Sequence, residues 1–490
     1  MDIRLYPRPV PTSAAHPTAG DRLQVWIGVS GVAAPPPVRW WLNGNPVAPS
    51  PVVALDSVRP PAVVPSAAPR AFAGVYEFTG LRPESLYRVR VESGGREASL
   101  EMRTLPDQLS TDANHPFHVL LVSCYYQPED RNELVSAVVG QLKGALRPHL
   151  TLLLGDQVYL DLPTLTDYKD DTAWLAAWFE RDYVRNWHGP GGLGAVLSSA
   201  PCISIPDDHE YWNNAPHYSP VVGNSLSAGG RQRWRAAAEM LYRGFQLPAS
   251  LEFGDSFILD IPPLSFFLAD SRSRRSEDRS QAMTPEARTA LKEWCDRVAR
   301  EELFGIFATG QSLYDEPVGS LTGRVADYAL ANYGDYPEIV RLLTSIPDRG
   351  QPILCLTGDV HWGRVTKSVD VKTGQGALYE VISSPSALVS SVGLDQFKKA
   401  GGFLGGLFGK PDPWPRHAPP AKPPDFLAMP VRHKQYRSAE LRGQPGDQVV
   451  LLSFMRAGYG VDVRVTYYPI HEDARVRQPI AVGPLQLRPL

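Results

Sequence analysis

The chain of 490 residues holds four cysteines, Cys124, Cys202, Cys295 and Cys355, far apart and with no Cys-x-x-Cys pair. A chain this long needs no disulfide scaffold, so the thiols are expected to be free. No run of about 18 apolar residues occurs, which excludes a transmembrane helix. The opening Met1–Val10 lacks the apolar stretch of a secretory signal, so the chain as it stands reads as cytoplasmic; a trimmed leader would make it extracytoplasmic. Neither sign of charge prevails: 49 Lys and Arg face 52 Asp and Glu, a net charge of −3. That argues against a strongly basic protein that grips nucleic acid or an anionic membrane, and no sequence-specific nucleic-acid partner is expected. No repeat at solenoid spacing is present.

What is there is apolar residues at 43%, aromatics at 10% and 47 prolines. The first two suffice for a large core, and proline runs at about twice average usage. The length is about three times that of one ~150-residue domain, so at least two units are expected. Residues 1–107 read as an all-β unit. Asn43-Gly44 sits between two apolar segments in Val38–Val47, a tight hairpin turn. Tyr87, Val89 and Val91 alternate with Arg88 and Arg90, the period of a half-buried strand. Residues 48–69, with six prolines, read as a long surface loop. Leu81–Tyr87 resembles the strand entry of fibronectin type III modules, in which the tyrosine anchors a corner.

Residues 115–490 alternate short β-rich runs with helical patterns, which predicts an α/β unit with helices flanking its sheets. The strand runs are 118–122, 151–154, 202–205, 264–269 and 352–357, followed by Leu378–Ile382, Val449–Phe454 and Val461–Tyr468. Helices are expected at Asn132–Leu146, Thr172–Trp187 and Thr284–Arg300. In the last, Thr284 can cap and Pro285 suits the first turn. Residues 400–426, rich in Gly and Pro, read as a long loop and a possible lid over the pocket.

Four apolar runs end in polar, metal-competent residues: Ser123-Cys124, Gly155-Asp156-Gln157-Val158-Tyr159, Asp207-Asp208-His209-Glu210 and Gly358-Asp359-Val360-His361. Ligands in α/β sheets bind off the carboxyl ends of strands, so residues 32, 52 and 151 positions apart could meet in one pocket. Each cluster alone has a plain reading as a core thiol, a turn, a solvated loop or a helix cap. Four of them together require a common cause. Asp156, Asp208 and Asp359 offer only oxygen, which suits a hard cation such as Ca²⁺, Mg²⁺ or Mn²⁺. Cys124, Tyr159 and His361, again with Asp156, offer thiolate, phenolate and imidazole, which favours iron or another transition metal. A shared carboxylate would place two metals roughly 3.5–4 Å apart, the spacing of two-metal phosphoester hydrolases.

Gly155-Asp156-x-x-Tyr159 resembles the G-D-x-x-Y of purple acid phosphatases in the calcineurin-like metallophosphoesterase superfamily. With the other three motifs, the chain is more specifically similar to PhoD-type alkaline phosphatases, which carry a fibronectin-like domain before the catalytic one. The resemblance implies a metallophosphoesterase sandwich at 115–490 behind a fibronectin III-like domain at 1–107. It implies Cys124, Asp156, Tyr159 and His361 around Fe³⁺, Asp208 and Asp359 around Ca²⁺ (or Mn²⁺ or Zn²⁺ at that second position), and Asp156 bridging. It further implies hydrolysis of a small phosphoester, mono- or diester, by a metal-bridging hydroxide, with His209 facing the phosphate and the leaving group. The opening D-x-H of the wider superfamily is replaced by Ser123-Cys124, its metal-binding Asn by Asp208 and the first His of its G-H-x-H by Asp359. Those differences follow the PhoD branch.

Asp270-Ser271-Arg272-Ser273-Arg274-Arg275 resembles the family's D-x-R-x-x-R stretch, and a guanidinium fork matches phosphate oxygens. Arg272, then Arg275, is expected on the substrate phosphate, unless the segment is a solvated basic turn or Arg272 is spent on a buried pair with Asp270. Gln311 and Trp362 are further residues that could line the pocket. Two alternatives stay open: a metallophosphoesterase scaffold that only binds, or oxidase or peroxidase chemistry at a single iron.

Overall fold

Alternation of apolar and polar residues builds two antiparallel four-stranded sheets at the start of the chain. The computed structural model describes residues 1–489 apart from 60–70, 165, 314–327, 360, 362, 371–373, 375, 376, 388–435 and 445. Trp362 and the stretch 400–426 lie outside the described residues, as does the end of the 48–69 segment. One sheet runs Asp2–Arg8, Arg22–Ser30, Ala71–Thr79, Ser50–Ser57; the other runs Asn45–Val47, Val38–Leu42, Leu86–Ser93, Arg96–Arg103. They share one core, with Val25, Ile27 and Phe72 facing Trp40, Val89 and Val91. Asn43 and Gly44 both take positive φ (50° and 84°), as a two-residue turn between Leu42 and Asn45 requires. The hydroxyl of Tyr87 accepts the Arg82 N–H at 2.8 Å, which pins the corner expected there.

One sequence expectation fails in this part. Ser50–Ser57 is a strand inside the supposed surface loop. It lies at the edge of its sheet with two register irregularities, one beside Pro51, and an edge strand tolerates a missing N–H where a central one does not.

Beyond residue 115, two larger sheets stack face to face. The six-stranded sheet has the order Cys202–Ile205, Leu150–Leu154, Phe117–Val122, Gln448–Ala457, Gly460–Pro469, Ile480–Leu487. Its first three strands are mutually parallel and the rest antiparallel. The seven-stranded sheet has the order Ser256–Ile261, Leu264–Ala269, Phe304–Thr309, Ile353–Thr357, Ala377–Ile382, Gly363–Asp370, Tyr436–Gln444, with a parallel centre and antiparallel edges. Val119, Leu121, Leu152 and Leu154 meet Phe266, Leu268, Leu354 and Leu356 between them. Helices cover both outer faces. Phe179, Val196 and Leu241 pack beneath Leu120, Val122 and Leu153, while Leu291, Trp294 and Leu343 cover Phe267, Phe307 and Cys355. The result is a helix–sheet–sheet–helix sandwich.

Pro285–Arg300 forms with Thr284 as its cap, accepting the Ala287 N–H at 3.1 Å. Thr172–His188 also forms. The expected helix at Asn132–Leu146 shrinks to Leu134–Val139, because Asn132 and Glu133 stand at positive φ. All four cysteines are free and buried. Among the described residues no helix is long and apolar enough to cross a membrane. The first sandwich is anchored on the helical layer: Trp26 Nε1 donates to Gly244 O at 2.7 Å, Arg8 donates to Leu247 O at 3.2 Å, and buried Arg59 pairs with buried Glu180.

Candidate metal centre

The parallel strands Cys202–Ile205, Leu150–Leu154 and Phe117–Val122 bring their carboxyl ends side by side, so Asp208, Asp156 and Cys124 emerge from adjacent loops. The strand Ile353–Thr357 of the other sheet delivers Asp359 and His361 to the same place. Two glycines make this approach possible. A Cβ at Gly155 would stand 2.6 Å from the Asp207 Cβ, and one at Gly358 only 2.2 Å from Leu154 O.

Donor atoms of Cys124, Asp156 and His361 then lie within 4.8 Å of one another. Those of Asp156, Asp207, Asp208 and Asp359 do the same, as do those of Asp156, Asp208 and His209. Asp156 belongs to all three groups. Cys124, Asp156, Asp359 and His361 all take left-handed backbone, with φ between 51° and 61°. Each such non-glycine residue costs about 1–3 kcal/mol, and strain of this kind collects where a site demands a direction the chain would not choose. Tyr159 packs at a tilt of 33° on the His209 ring, centroids 4.2 Å apart, with its hydroxyl buried and lacking a hydrogen-bond partner among the described residues.

The donor set fits metal ions on electrostatic grounds as well. Burial pushes the Asp156 carboxyl well above the usual carboxylate range; His209 opposes this, and Asp208, Asp207 and Glu210 add to it. Burial, then the charges of Asp156 and Asp359, raises the Cys124 thiol, and burial, then the charges of Cys124, Asp156, Asp208 and Asp359, raises the Tyr159 phenol. A buried group of anions held apart from water is short of positive charge, and cations at the shared carboxylate would supply it.

Two residues that the sequence leaves without a role turn out to organise the loops. Glu210, fully buried, accepts the Asp156 N–H (3.0 Å), the Asp207 N–H (2.8 Å) and the Gln157 N–H (2.6 Å). Burial pushes its carboxyl up to about 7 against the pull of those three backbone donors. Asp161 accepts from His209 Nδ1 at 2.8 Å and from the Asn213 N–H at 2.8 Å. Burial lowers the His209 pKa, but the charges of Asp161, Asp208 and Asp156 together outweigh it and hold the imidazole well above its ordinary range. The only sequence signals were the placement of Glu210 beside Asp208-His209 and of Asp161 five residues after Asp156.

Arg272 is buried, and its Nε and Nη2 both donate to Oδ1 of Asp207 (2.7 and 2.6 Å) while Nη1 donates to Ala215 O at 2.8 Å. Arg275 is also buried and donates to Ser271 O, Tyr328 O and the Gln311 side chain. Gln311 in turn reaches Asp359 Oδ2 at 3.3 Å. Cys124, Asp208, Asp359 and His361 thus each belong to a donor group with Asp156, Tyr159 is placed by its ring contact with His209, and both arginines reach the site through other side chains.

No family model matches the chain, and no curated protein matches it. Among solved structures, that of PhoD superposes with a TM-score of 0.61 over 98% of this chain and 88% of that one, at 13% identity. The chain therefore has a PhoD-like fold. The structure of GAP50, described as the anchor in the inner membrane complex of Plasmodium, is 10% identical over 76% of this chain and 89% of that one. Its TM-score of 0.37 carries no argument.

Proposed function

We propose that the protein is a metal-dependent phosphoester hydrolase acting on small phosphate mono- or diesters, with a catalytic unit at 115–490 behind a fibronectin III-like unit at 1–107. One observation carries this reading: four strand-end segments from two sheets converge on a single carboxylate, Asp156, which both donor sets share. A PhoD-like fold supports it. Cys124, Asp156, Tyr159 and His361 would hold Fe³⁺, since three of the four are anionic when bound and suit a highly charged ion, and the all-oxygen set Asp156, Asp208 and Asp359 would hold Ca²⁺. Bound there, the pair would supply Lewis acidity toward phosphoryl oxygens and a water of lowered pKa.

The remaining chemistry belongs to the chain. Asp161 accepts a hydrogen bond from His209 Nδ1–H, which keeps that proton on the ring and leaves Nε2 to exchange a proton with the leaving oxygen. Protonation of that kind contributes typically ~10²–10⁴-fold, most for poor leaving groups. Arg272 fixes Asp207, the neighbour of Asp208, and so steadies the loop that carries that ligand.

Hydrolysis of p-nitrophenyl phosphate and of its bis-ester, followed with metal analysis, tests the reading. Turnover is expected to fall on mild chelation and return with Ca²⁺ while iron stays bound. A single redox-cycling iron without hydrolysis would overturn it.

A further inference from the structure

Arg275 stands in the segment expected to hold phosphate, yet each of its three nitrogens donates inside the protein. Nε donates to Ser271 O at 2.7 Å, Nη1 to Tyr328 O at 3.3 Å and Nη2 to Gln311 Oε1 at 2.5 Å, with the Tyr333 ring 4.6 Å from the guanidinium carbon. A guanidinium has donors only. The side-chain oxygen of Gln311 must therefore face Arg275, which turns its NH₂ group toward Oδ2 of Asp359 at 3.3 Å. Which way an amide points is ordinarily a matter of assignment; here the chemistry of Arg275 decides it. Asp359 needs such support, because it sits on left-handed backbone at φ 61° and leans in from the opposite sheet.

We propose that Gln311 is a positioning residue for the Ca²⁺ side of the centre: it donates to Oδ2 of Asp359 and holds that carboxylate at one rotation, and Arg275 keeps the amide turned the right way. The proposal rests on the two-metal reading above. Losing a hydrogen-bond partner of a ligating side chain typically costs about 10–100-fold in metal affinity or activity. Tyr159, Cys124 and His361 are not on this relay, so the iron side should be indifferent to Gln311.

The experiment titrates CaCl₂ into the full-length, iron-retaining protein after mild chelation, by calorimetry, with hydrolysis of bis-p-nitrophenyl phosphate as a second readout. Gln311→Leu keeps most of the side-chain volume and removes both polar ends. It should weaken Ca²⁺ binding about 10–100-fold with iron content unchanged, and kcat should recover as Ca²⁺ is raised. Arg275→Met should move the Ca²⁺ curve the same way by less, since the amide then loses its orientation but not its donor. Gln311→Asn, one methylene short of Asp359, should fall between wild type and Leu, and it carries the test if the Leu variant does not fold. A Ca²⁺ curve for Gln311→Leu or Gln311→Asn that overlays wild type overturns the role of Gln311. Wild type that neither binds Ca²⁺ nor hydrolyses the ester overturns the function reading instead, so the two failures are told apart.

Discussion

The six-stranded and seven-stranded sheets each furnish part of the candidate centre, and they secure their donors by different means. On the six-stranded side, the loops carrying Asp156 and Asp208 are tied together by backbone N–H groups that converge on Glu210. On the seven-stranded side, Asp359 and His361 are steadied by side chains: Gln311 reaches Asp359, and the His361 N–H donates to Ser384 Oγ at 3.1 Å. The first arrangement concentrates the support in one buried carboxylate. The second spreads it over several weaker partners. A single substitution should therefore disable the six-stranded half and only loosen the other.

The sharpest contrast comes from the residue both halves share. Asp156→Asn should remove turnover by at least the ~10²–10³-fold that loss of one charge-stabilising group costs, and should lower both metals together. Elemental analysis alongside the ester assay checks this; depletion of one metal alone would break the bridging assignment. Glu210→Gln comes next. Its NH₂ group must face either the Gln157 N–H or the pair from Asp156 and Asp207, donor against donor, in a site closed to water. Affinity at both metal positions should drop about 10–100-fold, where Gln311→Leu moves only one. Equal, selective loss of Ca²⁺ in the two variants would erase the difference between the halves.

Arg272 separates stability from substrate binding. Removing one member of a buried pair leaves the other charge uncompensated, so Arg272→Ala should destabilise the fold by about 3–5 kcal/mol in chemical denaturation. An Arg that served substrate alone would instead raise KM and leave the unfolding midpoint in place.

How far the sequence led can be seen residue by residue. Cys124, Asp156, Asp208 and Asp359 were legible because each follows an apolar run, and the end of a buried strand is where a chain can spend polar groups on a ligand. Glu210 was in plain view beside them, but its function depends on N–H groups some 54 positions away in the chain, which no local pattern reveals. Arg272 and Arg275 carry the right chemistry for phosphate, and only the fold shows that Asp207 and Gln311 take it up. The strand Ser50–Ser57 was hidden by its prolines, since their cost vanishes at a sheet edge. The helix expected at Asn132–Leu146 failed because apolar spacing says nothing of the left-handed turn at Asn132 and Glu133.

The smallest expected effect on stability belongs to Tyr159, and its sign should depend on metal. The hydroxyl is buried and has no hydrogen-bond partner among the described residues, a condition that costs about 1–3 kcal/mol. In the metal-free protein, Tyr159→Phe removes that penalty while keeping the ring on His209, so the unfolding temperature should hold or rise. In the iron-loaded protein the same change deletes a ligand, so metal-dependent stabilisation should shrink and the phenolate-to-Fe³⁺ visible band should bleach or shift strongly. Thermal unfolding with and without iron, read beside the absorption spectrum, decides it. If the Phe variant loses equal stability in both states and keeps an unchanged band, Tyr159 is a packing partner of His209 and the softer half of the site must find its fourth donor elsewhere.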